Sequence, residues 1–455
     1  MKTEERLVEY IVKTRYGDIP PIPLQIAKNV LLTVIGTTVA GSTVEGCEEL
    51  VKFYREIGGK EEATILIYDG KVPAENAAFV NGVMGRALDF CDAMAPGLHM
   101  GSSIVPVALA ASELTQGCSG KEFLAALVLG AEIGARMNLS EAAYDGFDPT
   151  GVAGVFAATA TAARILRLSA KETWNALALA FNRSGGSFQS NIDGSLAVRT
   201  IQGWVSQSSL NCARLAQLGV TGPKQFLEGV YGYLHLFGRD KINPEAITRR
   251  LGEGFEMESI VFKKYPSCGL TLASTDLILD LMREKQFEAE QIERIDVHVP
   301  PYAHKLVGHR FQMGDNPRVN AQFSIQYCVA SGLLRKSSKL RHFEPASVAE
   351  PTIMQLIDLV HVSSDASLEA RGHTAVDMRI KTRDGKTHYK GIDVAPGFPG
   401  NSLTQEEHEE RFWDCVDFAG EHLPRQNSQD LLALVAQLED VPDVRATIPL
   451  LVIEE

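Results

Sequence analysis

Apolar and small residues dominate the first half of the chain, where nearly every segment from about residue 3 to about residue 235 has a helical period. Several segments are rich in Ala, Leu, Val and Gly and are apolar on almost every face: Val30–Ala40, Ala74–Phe90, Pro106–Leu114, Glu122–Asn138, Val152–Leu166 and Thr173–Phe181. A helix that is hydrophobic all round is buried, so the sequence predicts an all-α core. Ser119–Glu122 and Ser169–Glu172 have the Ser-x-x-Glu spacing typical of helix starts.

The pattern changes near residue 255, after which strands and helices are mixed. Three segments alternate like half-buried strands: Ile292–Val299, Thr374–Thr382 and Lys386–Ala395. Asp384-Gly385, between the last two, predicts a hairpin turn. Three further segments have a helical pattern: Leu270–Glu284, Phe323–Leu334 and Ser347–Val360. These elements predict an α+β domain, and the helical tail Gln429–Leu438 is expected to return to the helical domain.

Charge and cysteine usage restrict the class of protein. With a net charge of −13 and no cluster of Lys or Arg, the 455-residue chain is not expected to bind nucleic acid. Seven scattered cysteines without a CxxC pair indicate reduced thiols, as in cytoplasmic or organelle-matrix proteins. The charged N-terminus does not resemble a secretory signal, and no apolar run is predicted to be long enough to span a bilayer. We therefore expect a cytoplasmic protein with no membrane partner.

Motifs for common cofactors are missing from the sequence. It contains no G-x-G-x-x-G after a strand, no P-loop, no H-E-x-x-H, and no cysteine spacing for an iron–sulfur cluster. His298, His304 and His309 lie beside a predicted strand and a Pro-Pro turn, so we interpret them as surface residues rather than metal ligands. We expect chemistry by side chains alone, with no cofactor and no metal.

The segment Arg86–Pro106, RALDFCDAMAPGLHMGSSIVP, concentrates groups that carry proton chemistry. It contains Asp89, Asp92 and His99, followed by a Gly-Ser-Ser turn at the start of an apolar helix. An imidazole accepts protons, a carboxylate orients it, and a helix N-terminus binds an anion through backbone N–H groups. The alternative is that the carboxylates are ordinary helix caps and the histidine is solvated.

Five segments, in order along the chain, resemble signatures of the MmgE/PrpD family. Members show ALDFDDTH…HPG…V.PA where this chain has the Arg86–Pro106 segment. The other resemblances are Asp148–Phe156 to HPTGTAGVFGAA, Thr221–Gly232 to TGP…LEG..GF, Lys263–Cys268 to K-P-Y-P-C-C, and Ala321–Ala330 to AQFSLPYCVA. The family includes 2-methylcitrate dehydratases, cis-aconitate decarboxylases and an iminodisuccinate epimerase.

The resemblance implies a fold and a quaternary state. The fold is mainly α with an α+β second domain: a helical domain over residues 1–260 and 402–455, and a smaller α+β lid over residues 261–401. Family members are commonly homodimers, with the pocket where the two domains meet. On this basis His99 and Lys263 are expected to share one water-poor cavity.

The resemblance also implies roles for individual residues. The catalytic candidates are His99, Asp89, Lys263 and Tyr327, and Arg199, Gln202, Asp148 and Cys268 stand at family pocket positions as substrate-binding candidates. Ser102 and Ser103 are substrate-binding candidates from the Gly-Ser-Ser turn itself, whose helix start offers N–H donors to an anion. His99 is the expected proton carrier, with Asp89 fixing its tautomer. Lys263 and Arg199 are expected to bind carboxylates, and Tyr327 to act as an acid. In the alternative interpretation Lys263 is solvated, Tyr327 is a core residue, Cys268 is a buried thiol, and Asp148 caps a helix.

The chain also departs from the family pattern. Cys91 stands where the second Asp of DFDD is usual, and Ala93 replaces a threonine. Asp148 and Ile201 each stand where most members have histidine, and Cys268 occupies a position that is histidine in decarboxylase-like members. Because these polar groups are missing, the sequence does not determine which reaction or which substrate the chain has.

Three hypotheses follow. The first is a cofactor-independent lyase that dehydrates a small hydroxylated di- or tricarboxylic acid such as 2-methylcitrate, after abstraction of an α-proton. The second is an epimerase, isomerase or decarboxylase of a small dicarboxylate. The third is a catalytically silent member that binds carboxylates or only assembles as a dimer.

Overall fold

The chain folds as two units, of which the first is built from both of its ends. The computed structural model describes residues 2–139, 143–193 and 195–453. The first unit comprises Met1–Ile260 and Cys415–Glu455, and the second comprises Val261–Asp414. As the sequence predicts, the fold is mainly helical with a small mixed sheet.

Helices form nearly all of the first unit. Their bounds are α1 Thr3–Lys13, α2 Pro21–Gly41, α3 Cys47–Ile57, α4 Ala74–Arg86, α5 Gly101–Leu114, α6 Gly120–Met137, α7 Val155–Ile165, α8 Ala170–Phe181, α9 Gln189–Ile192, α10 Ala197–Gln217, α11 Tyr233–Leu236 and α12 Pro244–Thr248. The short strands β1 Ala63–Thr64 and β2 Lys71–Val72 pair antiparallel. Ser119 and Ser169 cap α6 and α8 by accepting from the backbone N–H of Glu122 and Glu172, as predicted.

Small residues set the closest helix contacts. Helix α10 packs against α4, and α6 packs against α7. A Cβ atom at Gly130 of α6 would lie 1.9 Å from Oγ1 of Thr161 on α7. One at Gly203 of α10 would lie 2.8 Å from Cγ2 of Val83 on α4. Since protein interiors are packed without spare volume, these glycines allow the backbones to approach.

Helix α2 corrects one expectation from the sequence. Pro21–Gly41 has 21 residues and a mean hydropathy of 1.4, which is long and apolar enough to cross a membrane by length and composition. The prediction that no run reaches this length was wrong, because polar Thr and Asn residues interrupt the run without making it hydrophilic on average. About 67% of its most apolar 18-residue stretch is buried inside the protein, as in a core helix.

The second unit is a four-stranded sheet with helices. Its strands are β3 Ile292–Val299, β4 Val360–Ser364, β5 Val376–Thr382 and β6 Thr387–Ile392, in the order β4-β3-β5-β6. Strand β3 pairs parallel with β4 and antiparallel with β5, so Ile295 lies opposite both Val360 and Ile380. The helices are α13 Leu272–Lys285, α14 Pro301–Val307, α15 Pro317–Gln322, α16 Ile325–Arg335, α17 Pro345–Val348 and α18 Pro351–Ile357.

One predicted helix of this unit is in fact three elements. Over Ser347–Val360 the chain forms the end of α17, then α18, and then enters strand β4. Pro351 stands at the first position of α18, where its missing N–H costs nothing, and it separates the two helices. The hairpin prediction is confirmed: Gly385 has φ 84° between β5 and β6, where the left-handed conformation favours glycine.

The last two helices complete the chain. Helix α19 spans Gln405–Ala419 and contains the boundary between the units, and α20 spans Arg425–Ala436. Helix α20 packs against α2, so the C-terminal tail returns to the helical unit.

Candidate active site

Helix α4 ends four residues earlier than the sequence predicts. Its last residue is Arg86, and the chain then turns through Asp89, whose φ of 52° lies in the left-handed region. Nη1 of Arg86 lies 2.5 Å from Oδ1 of Asp89. This charged hydrogen bond fixes Asp89 at the end of the helix.

His99 is held by its main chain and its ring. Its backbone N–H donates to Oγ1 of Thr150 at 3.0 Å, and its Nδ1 lies 2.7 Å from the carbonyl oxygen of Asp92. A carbonyl oxygen only accepts, so Nδ1 carries the hydrogen, and the lone pair of the neutral ring is on Nε2. Sγ of Cys91 lies 3.6 Å from the same Nδ1. The main chain of Asp92 thus fixes the tautomer of His99, and the orienting role expected of Asp89 stays a prediction.

Asp92 also begins the next helix. Its carboxylate Oδ2 accepts from the backbone N–H of Gly101 at 3.0 Å, so α5 begins at Gly101 rather than at Pro106. The side chain is 0% exposed, and Oδ1 has no hydrogen-bond partner among the described groups. Burial raises the pKa of Asp92, opposed by the backbone N–H of Gly101 and by Arg86.

The predicted Gly-Ser-Ser turn is therefore the first turn of α5. Ser102 and Ser103 are buried, and their hydroxyls donate to the carbonyl oxygens of Gly85 and Gln202 at 3.1 and 3.5 Å. This turn was expected to bind an anion through its backbone N–H groups, but the N–H of Gly101 already donates to the carboxylate of Asp92. In the structure the two serines connect helices, and their role in substrate binding stays a prediction.

Asp148 caps a second helix beside His99. Its Oδ1 accepts from the N–H groups of Thr150 and Gly151 at 2.8 and 3.4 Å, where one turn of π-helix, Thr150–Gly154, leads into α7. Such turns are frequent at functional sites. Burial raises the pKa of Asp148, opposed by the N–H of Thr150 and by Arg86.

Two departures from the family pattern are neighbours in space. A Cβ atom at Gly186 would lie 2.9 Å from Cδ1 of Ile201 and 3.3 Å from Cβ of Asp148. Asp148 and Ile201 therefore both lie next to Gly186, although they are 53 positions apart in the chain. The two positions at which the family motifs show histidine therefore lie in one small region.

Arg86 is a buried charged residue beside these candidates that the sequence analysis did not single out. It is 6% exposed; burial lowers its pKa, but the charges of Asp89, Cys91 and Asp148 outweigh burial, so the pKa of Arg86 is raised. Its position was a usable signal, because it is the last residue of an apolar helix and lies three residues before Asp89. A guanidinium at the end of a buried helix needs hydrogen-bond or charge partners to offset the cost of burial, and the nearest polar groups in the sequence are those that follow it.

Arg199 and Gln202 lie on the first turns of α10. Nη1 of Arg199 donates to the carbonyl oxygen of Glu45 at 2.8 Å, which ties this helix to the segment before α3. Gln202 is 1% exposed, and its Oε1 has no hydrogen-bond partner among the described groups. The carboxylate-binding role of both residues stays a prediction.

Lys263 and Cys268 belong to the second unit. Lys263 is buried, and the backbone N–H of Cys268 donates to the carbonyl oxygen of Gln322 at 2.9 Å. The neighbouring Lys264 is engaged differently, with Nζ 2.8 Å from Asp276 and 2.9 Å from Glu407. Of the two adjacent lysines, Lys264 is thus committed to ion pairs within its unit.

Tyr327 is a core residue of the second unit. It is 0% exposed, its ring lies beside those of Phe311 and Phe343, and its hydroxyl donates to the carbonyl oxygen of His342. Burial raises the pKa of Tyr327 to about 12. The structure gives this residue a packing role, and the acid role implied by the resemblance stays a prediction.

The first unit thus brings Asp89, His99 and Asp148 together with Arg86 and Asp92. Lys263, Cys268 and Tyr327 lie in the second unit, and the cavity expected to join His99 with Lys263 stays a prediction. Among the described residues, no group of three or more His, Cys, Asp or Glu side chains is arranged to hold a metal ion.

Comparisons with known proteins match both parts of the chain. The MmgE/PrpD N-terminal domain matches residues 5–245, and the MmgE/PrpD C-terminal domain matches residues 265–440. The chain is 27% identical to the cis-aconitate decarboxylase-like protein oryM of Aspergillus oryzae, over 89% of each chain. It is 25% identical to cis-aconitate decarboxylase of Mus musculus, over 92% of this chain and 86% of the relative. Identity to the Homo sapiens enzyme of that name is 24%, over 94% and 90%.

Proposed function

This chain belongs to the MmgE/PrpD family, and on that premise we propose that it is a lyase acting on a small di- or tricarboxylic acid by proton transfer at a carbon next to a carboxylate. The supporting observation is the 2.7 Å contact between Nδ1 of His99 and the carbonyl oxygen of Asp92. With the hydrogen on Nδ1, Nε2 is the ring nitrogen proposed to exchange a proton with substrate. Side chains supply the chemistry, and the protein is proposed to act in the cytoplasm as a homodimer.

Decarboxylation of cis-aconitate is the first reaction to test, because the relatives named above carry that activity in their names. The bond between a carboxylate and its carbon breaks, carbon dioxide leaves, and the electron pair stays on the substrate. Protonated His99 then delivers a proton from Nε2 to carbon. No hydroxyl is expelled, so the reaction does not need Tyr327, whose hydroxyl is bound to the carbonyl of His342.

Dehydration of a 2-methylcitrate-like acid is the second candidate. Here neutral His99 accepts the α-proton at Nε2 and a carbon–carbon double bond forms as the carbon–oxygen bond breaks. The imidazolium then gives this proton to the departing hydroxyl, which leaves as water. The substitution of Cys268 for a histidine typical of decarboxylase-like members favours this reaction over the first. Epimerisation needs the same proton removal, but the proton returns to the opposite face and nothing leaves.

One experiment separates these reactions. The purified protein is incubated in deuterated water with cis-aconitate, 2-methylcitrate and a panel of related acids, and products are followed by proton NMR. Carbon dioxide release with one deuterium in the product indicates decarboxylation, a new alkene from a hydroxy acid indicates dehydration, and deuterium at an unchanged skeleton indicates epimerisation.

His99→Gln is the matched inactive variant, and His309→Gln, at an exposed histidine, is the control. Loss of a general acid–base is expected to slow turnover by about 10²–10⁴-fold, whereas the control keeps the native rate. Thermal stabilisation by these acids without any turnover in the native protein would instead support the silent carboxylate-binding hypothesis. Equal rates for His99→Gln and the native protein would contradict the proposed role of His99.

A further inference from the structure

Cys91 lies against the same ring nitrogen of His99 that contacts Asp92. Its Sγ is 3.6 Å from Nδ1 of His99, and the carbonyl oxygen of Asp92 is 2.7 Å from that atom. A cysteine sulfur accepts a hydrogen bond, although more weakly than oxygen does. The one hydrogen on Nδ1 is therefore shared between a carbonyl oxygen and a sulfur atom that belong to consecutive residues.

A short loop that closes on itself brings these groups together. Met94 and Leu98 exchange two backbone hydrogen bonds of 2.8 Å. His99 therefore returns to the level of Cys91 and Asp92. Asp92 is fixed in turn, because its carboxylate begins α5. Cys91 is 0% exposed, so its sulfur is held inside the protein at the ring.

A carbonyl oxygen and a thiol carry no net charge, and this bears on how readily the ring takes up a proton. A carboxylate in the place of the sulfur would favour the imidazolium and raise the pKa of the ring. A thiol has an ordinary pKa of about 8.5, so in its neutral form it gives no such preference at neutral pH. The two carboxylates of the same turn accept from other groups, Asp89 from Arg86 and Asp92 from Gly101.

Other charged or titratable groups around His99 come from the end of α4, the start of α5 and the start of the π-helical turn: Arg86, Asp89, Asp92 and Asp148. The last of these is connected to His99 through Thr150, which accepts from the N–H of His99. A substitution at Cys91 leaves all of these groups in the chain. A change in the titration of His99 therefore reports the group at position 91.

We propose that Cys91 is a positioning residue, whose neutral sulfur holds Nδ1 of His99 and thereby keeps this histidine uncharged at neutral pH. It acts on substrate only through His99, and it exchanges no proton itself. The contact and its effect on titration are independent of the proposed function, whereas the effect on turnover rests on that function.

The test is NMR titration of His99, with histidine labelled at Cε1 and the resonance assigned by His99→Gln. Cys91→Asp places a carboxylate beside Nδ1, and the pH midpoint of His99 is expected to rise by about one unit or more. Cys91→Ser keeps a neutral acceptor, so it should leave the midpoint within about 0.3 unit of the native value. Cys212→Ser, at a buried thiol on α10, is the matched control and should not move the midpoint.

Two results would overturn the proposal. A rise with Cys91→Asp no larger than the change with Cys212→Ser would show that the group at position 91 does not act on the ring. A fall of more than about 0.3 unit with Cys91→Ser would show that the native sulfur is a thiolate paired with an imidazolium.

Should Cys91→Asp not fold, Cys91→Ala gives a second measurement. It removes the sulfur and keeps the carbonyl oxygen of Asp92, so the tautomer of His99 is unchanged. The hydrogen on Nδ1 loses one acceptor and its cover, and its exchange with solvent, read on histidine labelled with nitrogen-15, is expected to be about tenfold faster or more. A native exchange rate in Cys91→Ala would contradict the proposal.

Turnover adds a separate readout. The limb of the pH–rate profile that reports His99 should move to higher pH in Cys91→Asp by the same amount as the NMR midpoint, and it should stay in place in Cys91→Ser. A purely structural Cys91 would change stability and leave the position of this limb unchanged. Failure of the substrate panel together with the expected titrations would reject the proposed function alone.

Discussion

Nδ1 of His99 lies 2.7 Å from the main-chain carbonyl oxygen of Asp92, whose own carboxylate accepts from the N–H of Gly101. One residue therefore both orients the imidazole and begins the helix that follows it. The orientation of the proposed proton carrier depends on how α5 starts, and substitutions at that helix start are expected to reach the chemistry.

Gly101→Ala tests this dependence. The added Cβ would lie 2.1 Å from Oδ1 of Asp92 and 3.0 Å from Cγ1 of Val30, so the Asp92 side chain and its carbonyl must move. We expect a loss of about 1–3 kcal/mol in the free energy of unfolding and a lower turnover rate. Gly17→Ala is the control, since a Cβ there meets nothing within 4 Å. Urea unfolding and steady-state kinetics measure both effects, and equal behaviour of the two variants would contradict the prediction.

Asp92→Asn is expected to change how stability depends on pH. Burial raises the pKa of Asp92 above its ordinary value of 3.8, so the native state holds this proton more tightly than the unfolded state. Its contribution to stability is complete below about pH 4 and is lost as pH rises through the raised native pKa. The unfolding free energy of the native protein minus that of Asp92→Asn should therefore decrease as pH rises from about 4 to 7.

Denaturant unfolding at several pH values measures that difference. His309→Gln, an exposed substitution, is the reference for general pH effects. A difference that stays constant over this range, or that moves in favour of the native protein, would show that Asp92 is ionised in both states.

Tyr327→Phe separates a packing role from a catalytic one. The hydroxyl donates to the carbonyl of His342 inside the core, and the raised pKa of Tyr327 of about 12 keeps it protonated at working pH. Removing it leaves a buried carbonyl oxygen without this donor, which is expected to cost about 1–3 kcal/mol of stability. Turnover measured well below the melting temperature should stay within a few-fold of native. A 100-fold fall in kcat without loss of stability would instead support the role of Tyr327 as a catalytic acid.

Lys263→Met tests carboxylate binding in the second unit. If Lys263 binds a substrate carboxylate equally in the ground and transition states, its loss is expected to raise KM about tenfold or more and to change kcat little. Lys264→Met is the matched control at the adjacent position, since its Nζ is held by Asp276 and Glu407. The control should lower stability and leave KM near native. Identical KM values for the two variants would contradict the prediction that Lys263 binds a substrate carboxylate.

Local signals in the sequence predicted most of the elements. The all-round apolar segments became α2, α4, α5, α6, α7 and α8, and the Asp384-Gly385 hairpin formed between β5 and β6. These features depend on neighbours a few residues away, through capping, helical period and turn conformation. The sequence analysis did not predict strand β4, because a short apolar run after a helix has no period of its own. The pairing of β4 with β3 is also long-range, so local signals do not indicate it.

By itself the sequence determined the helical core, the α+β second part, and a motif that places two aspartates and a histidine within one short segment. The tertiary structure decided the partners of the buried polar groups. The N–H of His99 donates to Thr150, 51 positions away, the charge of Arg86 opposes the rise in the pKa of Asp148 caused by burial, and the hydroxyl of Tyr327 donates to a carbonyl inside the core. The physical reason is that secondary structure follows from contacts along the chain. The protonation and orientation of a buried polar group follow from whatever the fold packs against it.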